Sequence, residues 1–525
     1  MGHSTTSQVE TQSATSNASV SKGLGVASAD VLYLHPAKQE VAARYDRYIA
    51  SPSYPIMPVG VLGLANLLVE SGARVRGLNI PLEFLLDIQF DLRRWLRAHS
   101  PPAMIMVDMH WYEHSYGAID VARACKATFA DTPIVMGGLT ASRYAGAILT
   151  HFPEVDYVIR GDAEEPLRLL FEAIHFGRTD VDTLKGIPNL TYRDNAKIRQ
   201  TAQTYVADAT DLARLDFVSL DFLEHHEAYS AIQYIGAGLI SPSEAKLKGH
   251  WLGMGRGCVH NCSYCGGAQS AHRQLAGRDG PSLRSTDQVL LDLQRLADAG
   301  IHQVSLALDP CMIGEGFWRP LMDGLAERGP NIGLYNEFFQ LPSKEFVEAF
   351  SSVADREHTE VALSPLSGNE RVRRLNGKQF SDAELLEAVD WLAERELPLY
   401  VYFSINLPGE TVQTFDDTIK LASEICRRYP SHLLRMINKC HTIDPVSPMS
   451  ENPKRYGIRV TYKSFLDYYR YCEATAWQAR HVTRGEHRGY DSVRLRDVQV
   501  EQMARAWDAF AEAQDARCFP VPRGW

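Results

Sequence analysis

Short apolar runs alternating with longer helical stretches constrain this chain more than any other feature. The run 29–36 is apolar and ends at Pro36, and residues 58–68 carry a helical pattern that stops at Ser71-Gly72. Further apolar runs follow at 74–80, 104–109, 133–138 and 156–162, with helical stretches at 118–129 and 166–176. Strands buried on both faces read as continuous apolar runs, and helices between them allow parallel pairing. The expected fold of residues 27–186 is therefore α/β, a Rossmann-like doubly wound sheet. Ligands of such sheets lie beyond the carboxyl ends of the strands. Those ends carry His35, Asp108-Met109-His110, Gly137-Gly138-Leu139-Thr140-Ala141-Ser142 and Arg160-Gly161-Asp162-Ala163-Glu164-Glu165. No GxGxxG fingerprint for a nicotinamide cofactor is present.

The second constraint is Gly257-Cys258-Val259-His260-Asn261-Cys262-Ser263-Tyr264-Cys265-Gly266-Gly267, with three cysteines at spacings of three and two residues. Thiolate is a soft ligand suited to iron–sulfur clusters. Three thiolates leave one iron of a four-iron cluster open. A structural zinc site wants four ligands, and His260 is a fourth donor on paper. Disulfides fit poorly with 9 cysteines in 525 residues and no secretory signal, which reads as a reducing cytoplasm. Cys125, Cys311, Cys426, Cys440, Cys472 and Cys518 are scattered and read as buried thiols. No second CxxC group supports a second cluster.

The cysteine spacing, Tyr264 before the third cysteine and the glycines after it resemble the cluster loop of the radical SAM superfamily. Three further matches follow in order. Residues 360–370, containing Ser364 and the turn Ser367-Gly368, resemble the family's fourth strand and its turn. Residues 371–378 resemble the next helix with its Asn-Gly-Lys end. Residues 399–411 resemble the fifth strand and its Pro-Gly-Glu-Thr turn, with Asn406 in place of a common glycine. The resemblance implies a partial (β/α)6 barrel over residues 250–455. It implies a 4Fe-4S cluster on Cys258, Cys262 and Cys265, and S-adenosylmethionine (SAM) chelated to the open iron. An electron donor such as flavodoxin or ferredoxin is implied, and a 5′-deoxyadenosyl radical as the product of reduction. Implied SAM contacts are Tyr264, Gly266, Asp309, Glu337, Ser364, Ser367 and Asn406. Asp309 stands where the family often has Gly-Gly-Glu, and a carboxylate suits the SAM ammonium. Glu337 is either such a contact or a salt-bridged lining residue.

The first domain resembles the cobalamin-binding domain that precedes many radical SAM cores. Gly138, Thr140 and Ser142 resemble the segment that receives the cobalamin tail. Asp162 and Glu164 fall in a variant of its Arg-Gly-Glu-Gly-Glu turn. His110 and Tyr112 join the implied cobalamin contacts, or serve as a polar lining of the domain interface. His110 is not assigned to cobalt, because Glu113 stands where Asp-x-His-x-x-Gly needs glycine. The alternative is a Rossmann-like domain that has lost its cofactor.

Residues 1–26 read as a disordered tail, because Ser, Thr, Gln and Ala cannot bury enough surface. Residues 187–249 read as a connector with a small hairpin near 187–193. Beyond the core, 441–449 and 452–457 resemble turns of the cobalamin branch. Residues 456–525 form a small helical region, with amphipathic helices at 462–478 and 498–514 expected to close the open end of the barrel. A net charge of −10 and no long basic run disfavour nucleic acid, and no apolar stretch approaches the ~18 residues of a membrane span. The expected function is methylation of a small molecule at an unactivated carbon or phosphinate phosphorus, as in natural-product biosynthesis. Non-methylating cyclisation, rearrangement or oxidation is the alternative; a cobalamin-sensing non-enzyme is the third reading. No motif marks catalytic residues of a substrate pocket.

Overall fold

The computed structural model describes residues 29–37, 55–235, 246–440, 442–477, 489–514 and 518–519. The tail expected over 1–26 lies outside these residues, as do His441 and most of the closing segment. Two seven-stranded sheets organise the chain. In the first, the order is Val75–Asn79, Val31–His35, Met104–Asp108, Ile134–Gly137, Tyr157–Ile159, Leu190–Asp194 and Lys197–Gln200. The first five strands are parallel and the last two join antiparallel. The order reverses beside Val31–His35, so helices cover both faces. Val31 and Tyr33 enter one apolar cluster, Leu32 and Leu34 the other. The expected hairpin therefore extends this sheet.

The second sheet steps in one direction. Its order is Gly249–Leu252, Gln303–Leu306, Gly333–Phe338, Glu360–Leu366, Leu399–Ile405, Leu434–Cys440 and the short Cys518–Phe519, all parallel. Crossovers of one hand with no reversal place the helices on one side and curl the strands into an arc. Val361, Leu363, Val401 and Phe403 pack outward in the largest apolar cluster. Tyr335, Glu337, Ser364 and Tyr402 alternate with the outward set and take the inner face. The helix Thr286–Asp298 starts where expected: the Ser285 side chain accepts from Gln288 N, and Gly300 (φ +77°) ends it.

The segment after the hairpin is stapled to both units. Gly77 N donates to Phe222 O at 2.6 Å, and the Asn66 amide reaches Asp216 O and Ser219 O. On the other side Arg295 pairs with Asp216 at 2.9 Å. The two late helices part company, contrary to the sequence expectation. Asp497–Ala513 packs on the second sheet, with Trp507 5.6 Å from Phe403. Phe465–Trp477 instead packs on Ser115–Thr128 of the first unit. Its stripe Phe465, Tyr468, Tyr469 and Cys472 has the i, i+3, i+4, i+7 spacing of a single buried face, and that face completes the first unit's core. Among the described residues no helix is long and apolar enough to cross a membrane.

Candidate active site

The cluster loop leaves the two-residue strand Gly255–Arg256. Residues between the cysteines fix it. Ser263 Oγ bonds Asn376 Oδ1 at 2.5 Å, Met449 N donates to Ser263 O, and Tyr264 packs between two apolar clusters. A side chain at Gly377 (φ +95°) would come within 2.7 Å of the Cys262 backbone, so only glycine lets the Asn-Gly-Lys end approach. Two amides point at sulfur: His260 N at 3.3 Å from Cys258 Sγ and Gly267 N at 3.3 Å from Cys265 Sγ. Burial pushes the Cys265 thiol up, with Asp444 adding to it; burial also raises Cys258. Buried Lys378, tied to Phe339 O at 2.7 Å, pulls Cys258 the other way. Thiols in such a setting ionise when a metal takes them. Among the described residues no three His, Cys, Asp or Glu side chains gather as a single ion requires. A four-iron cluster asks instead that each thiolate reach its own iron, and this donor set fits it.

The residues expected to meet SAM divide into two groups. Glu337, Ser364 and Asn406 sit on or at the end of neighbouring strands. Ser364 Oγ donates to Glu337 Oε1 at 2.9 Å. Asn406 adopts φ +68° and is fully buried, yet neither atom of its side-chain amide has a partner among the described residues. An orphaned buried amide beside the cluster loop is what a bound polar ligand would satisfy. The other four are engaged within the chain. Both Asp309 oxygens accept backbone amides, Cys311 N at 2.9 Å and Phe339 N at 2.8 Å. Burial pushes this carboxyl up to about 6 against those bonds. Ser367 accepts from Asn369 N, Tyr264 is packed, and Gly266 N donates to Asp444 Oδ2 at 3.0 Å.

Glu410, in the Pro-Gly-Glu-Thr turn, accepts from Asn406 N at 2.7 Å and Leu407 N at 3.1 Å, and so holds the backbone that presents Asn406. Burial lifts its carboxyl to about 8. A raised acid pKa means that the folded chain keeps a proton the unfolded chain releases, so stability falls as pH rises from about 4.5 to about 8. We expect Glu410→Gln to gain about 2 kcal/mol on the wild type between about pH 6 and about pH 8. Thermal melts of both proteins across that range check it; parallel curves would assign the slope to other groups.

The first unit meets the loop through its strand ends. At the strand-order reversal, Tyr33 donates to Asp108 at 2.7 Å and His35 Nδ1 lies 2.8 Å from the same oxygen. Gly138 (φ +109°) lies against the His110 backbone, where an added side chain would come within 2.7 Å. Thr140 Oγ1 donates to His110 O; Ser142 Oγ donates to Gly138 O and accepts from Gly161 N. Tyr112 is buried 5.0 Å from Tyr468. Asp162 and Glu164 meet guanidinium groups of the core: Arg256 lies 3.0 Å from Asp162 and 2.6 Å from Glu164, and Arg278 also pairs with Asp162. Burial pushes Asp162 up, but Arg256 and Arg278 outweigh it and hold the carboxyl below the usual range. Burial lowers His110 to about 4, with Asp108 opposing and His272 and Arg256 adding; His272 is likewise near 4. Two neutral imidazoles, one from each unit, therefore stand at this contact. Sequence reasoning did not single out Arg256, Arg278, His272, Lys378 or Asp444. Arg256 was signalled only by position, directly before the loop; Lys378 ends the Asn-Gly-Lys match, and Asp444 opens the Asp-Pro-Val-Ser-Pro turn.

Residues 252–422 match the family model of the radical SAM superfamily. The chain is 23% identical over 381 residues to an uncharacterized methyltransferase of Pyrococcus horikoshii, covering 67% of this chain and 76% of the relative. It is 23% identical over 242 residues to an anaerobic magnesium-protoporphyrin IX monomethyl ester cyclase of Synechocystis sp., spanning 45% of this chain and 42% of the relative. In fold it is similar to the radical SAM methyltransferase TsrM of Kitasatospora setae solved with cobalamin and a 4Fe-4S cluster. That likeness has a TM-score of 0.62 and 16% identity, over 95% of this chain and 91% of that one.

Proposed function

We propose that the chain is a cobalamin-dependent radical SAM enzyme that methylates a small molecule, at an unactivated carbon or a phosphinate phosphorus. The observation that carries this reading is the direct seating of the three-cysteine loop on the ligand-binding end of a doubly wound domain, through Arg256. Cys258, Cys262 and Cys265 would hold the cluster. Asn406 and the Glu337–Ser364 pair would hold SAM. The strand ends around His110, Gly138, Thr140 and Ser142 would face cobalamin, with Tyr112, Asp162 and Glu164 shaping the bay behind them. Once bound, the cluster supplies an electron for SAM cleavage, and cobalamin supplies a methyl group that a substrate radical can accept. The chain's part is to place both on one dry interface and exclude water. The fold likeness to TsrM and the methyltransferase relative both support methyl transfer.

Methyl-labelled SAM tests it. With substrate, 5′-deoxyadenosine and S-adenosylhomocysteine should form in equal amounts with labelled product. The cyclase relative favours a second reading, cyclisation or oxidation without methyl transfer. Product and 5′-deoxyadenosine without S-adenosylhomocysteine beyond cobalamin loading would select it. Cobalamin should also stay with the wild type and with His110→Ala through gel filtration. A folded His110→Ala protein that elutes colourless would place His110 on cobalt.

A further inference from the structure

A groove of about 560 Å³ lies on the outer flank of the cluster loop. Val259, His260 and Asn261, the three residues between Cys258 and Cys262, form one wall. Arg374, Gln379, Glu451 and Arg455 stand along the others. Val259 is 38% exposed, one of the few large apolar side chains so placed. The charge around it is unbalanced. Glu370 is matched by Arg374 at 3.1 Å, and Glu451 by Arg143 at 3.2 Å. Arg371, Lys454 and Arg455 are exposed in addition, Arg455 lying 5.7 Å over the Tyr456 ring. This is a local basic rim on a chain of net charge −10.

We infer that this groove is the docking surface for an acidic one-electron carrier protein of the flavodoxin class, with Arg455 as its main electrostatic contact and Arg374, shared with Glu370, beside it. The inference rests on the function proposed above, because only a cluster at Cys258, Cys262 and Cys265 needs an electron delivered here. Each encounter oxidises the carrier by one electron and reduces the cluster by one. The groove has the three properties such a contact needs. It touches the cluster loop itself. It offers an apolar centre inside a charged rim, and the rim's sign complements an acidic protein. Neither arginine touches the residues placed around SAM or cobalamin, so electron delivery should be separable from chemistry.

The test compares two reductants on the reconstituted enzyme: dithionite, which needs no docking, and a reduced acidic bacterial flavodoxin. In Arg374→Glu/Arg455→Glu, the flavodoxin-driven rate of 5′-deoxyadenosine formation should fall about ten-fold, while the dithionite-driven rate stays within about two-fold of wild type. Arg455→Gln, a milder change, should show a smaller loss in the same direction. Flavodoxin affinity, measured by calorimetry on the enzyme without SAM, should fall in parallel and weaken with added salt. Unchanged flavodoxin affinity and rate in the double variant would overturn the docking surface while leaving the proposed function intact. A wild type that binds iron yet yields no 5′-deoxyadenosine with dithionite would overturn the proposed function, and this inference with it.

Discussion

Replacing Cys258, Cys262 and Cys265 together by Ala should remove the brown chromophore and abolish SAM cleavage, lowering iron from about four per chain to about zero. Fold should survive the change, because the loop is held by other groups. Ser263 is bonded to Asn376 and to Met449 N, and Tyr264 packs between two clusters. Circular dichroism and melting temperature should therefore stay close to wild type while iron disappears. Iron analysis and anaerobic absorbance make the measurement. Four irons retained per chain in a folded triple variant would sink the assignment of this loop.

The second large effect concerns stability. Asp162→Ala removes the carboxylate that pairs with both Arg256 and Arg278. Arg278 is buried, and a guanidinium left there without its partner costs about 3–5 kcal/mol. Melting temperature should fall by roughly 4 °C. The sign with pH follows from the lowered carboxyl. The ion pairs contribute fully above the unfolded value of about 4 and lose their contribution as pH falls through the folded value. Wild type and variant should then differ most near neutrality and converge in acid. A difference that persists unchanged at about pH 3 would mean that packing, rather than charge, dominates.

Much of the fold was legible in the sequence, for a definite reason. The parallel strands are buried on both faces, so 31–34, 104–107 and 134–136 appear as unbroken apolar runs. Ser285 with Gln288 marks a helix start through local hydrogen bonds alone. The cysteine loop was legible because its chemistry demands a fixed spacing. The contacts around it were less so. Asp309 has the right charge to meet an ammonium, yet two backbone amides 28 residues apart in the chain (Cys311 and Phe339) occupy its oxygens. The pairing of Asp162 with Arg256 and Arg278, about a hundred residues away, leaves no local pattern. The destination of the helix Phe465–Trp477 was hidden likewise. An apolar stripe says that a face is buried, but not against which surface.

That helix has a consequence for how the protein comes together. The first unit is gripped on one side by Arg256 and Arg278, and on another by Phe465, Tyr468 and Tyr469. Two separate attachments oppose rocking of the first unit about either one alone. Synthesis runs from the amino end, so both sheets' parallel strands up to Leu434–Cys440 leave the ribosome before the second grip exists. The first unit's core thus stays incomplete in the nascent chain until residues 465–477 arrive.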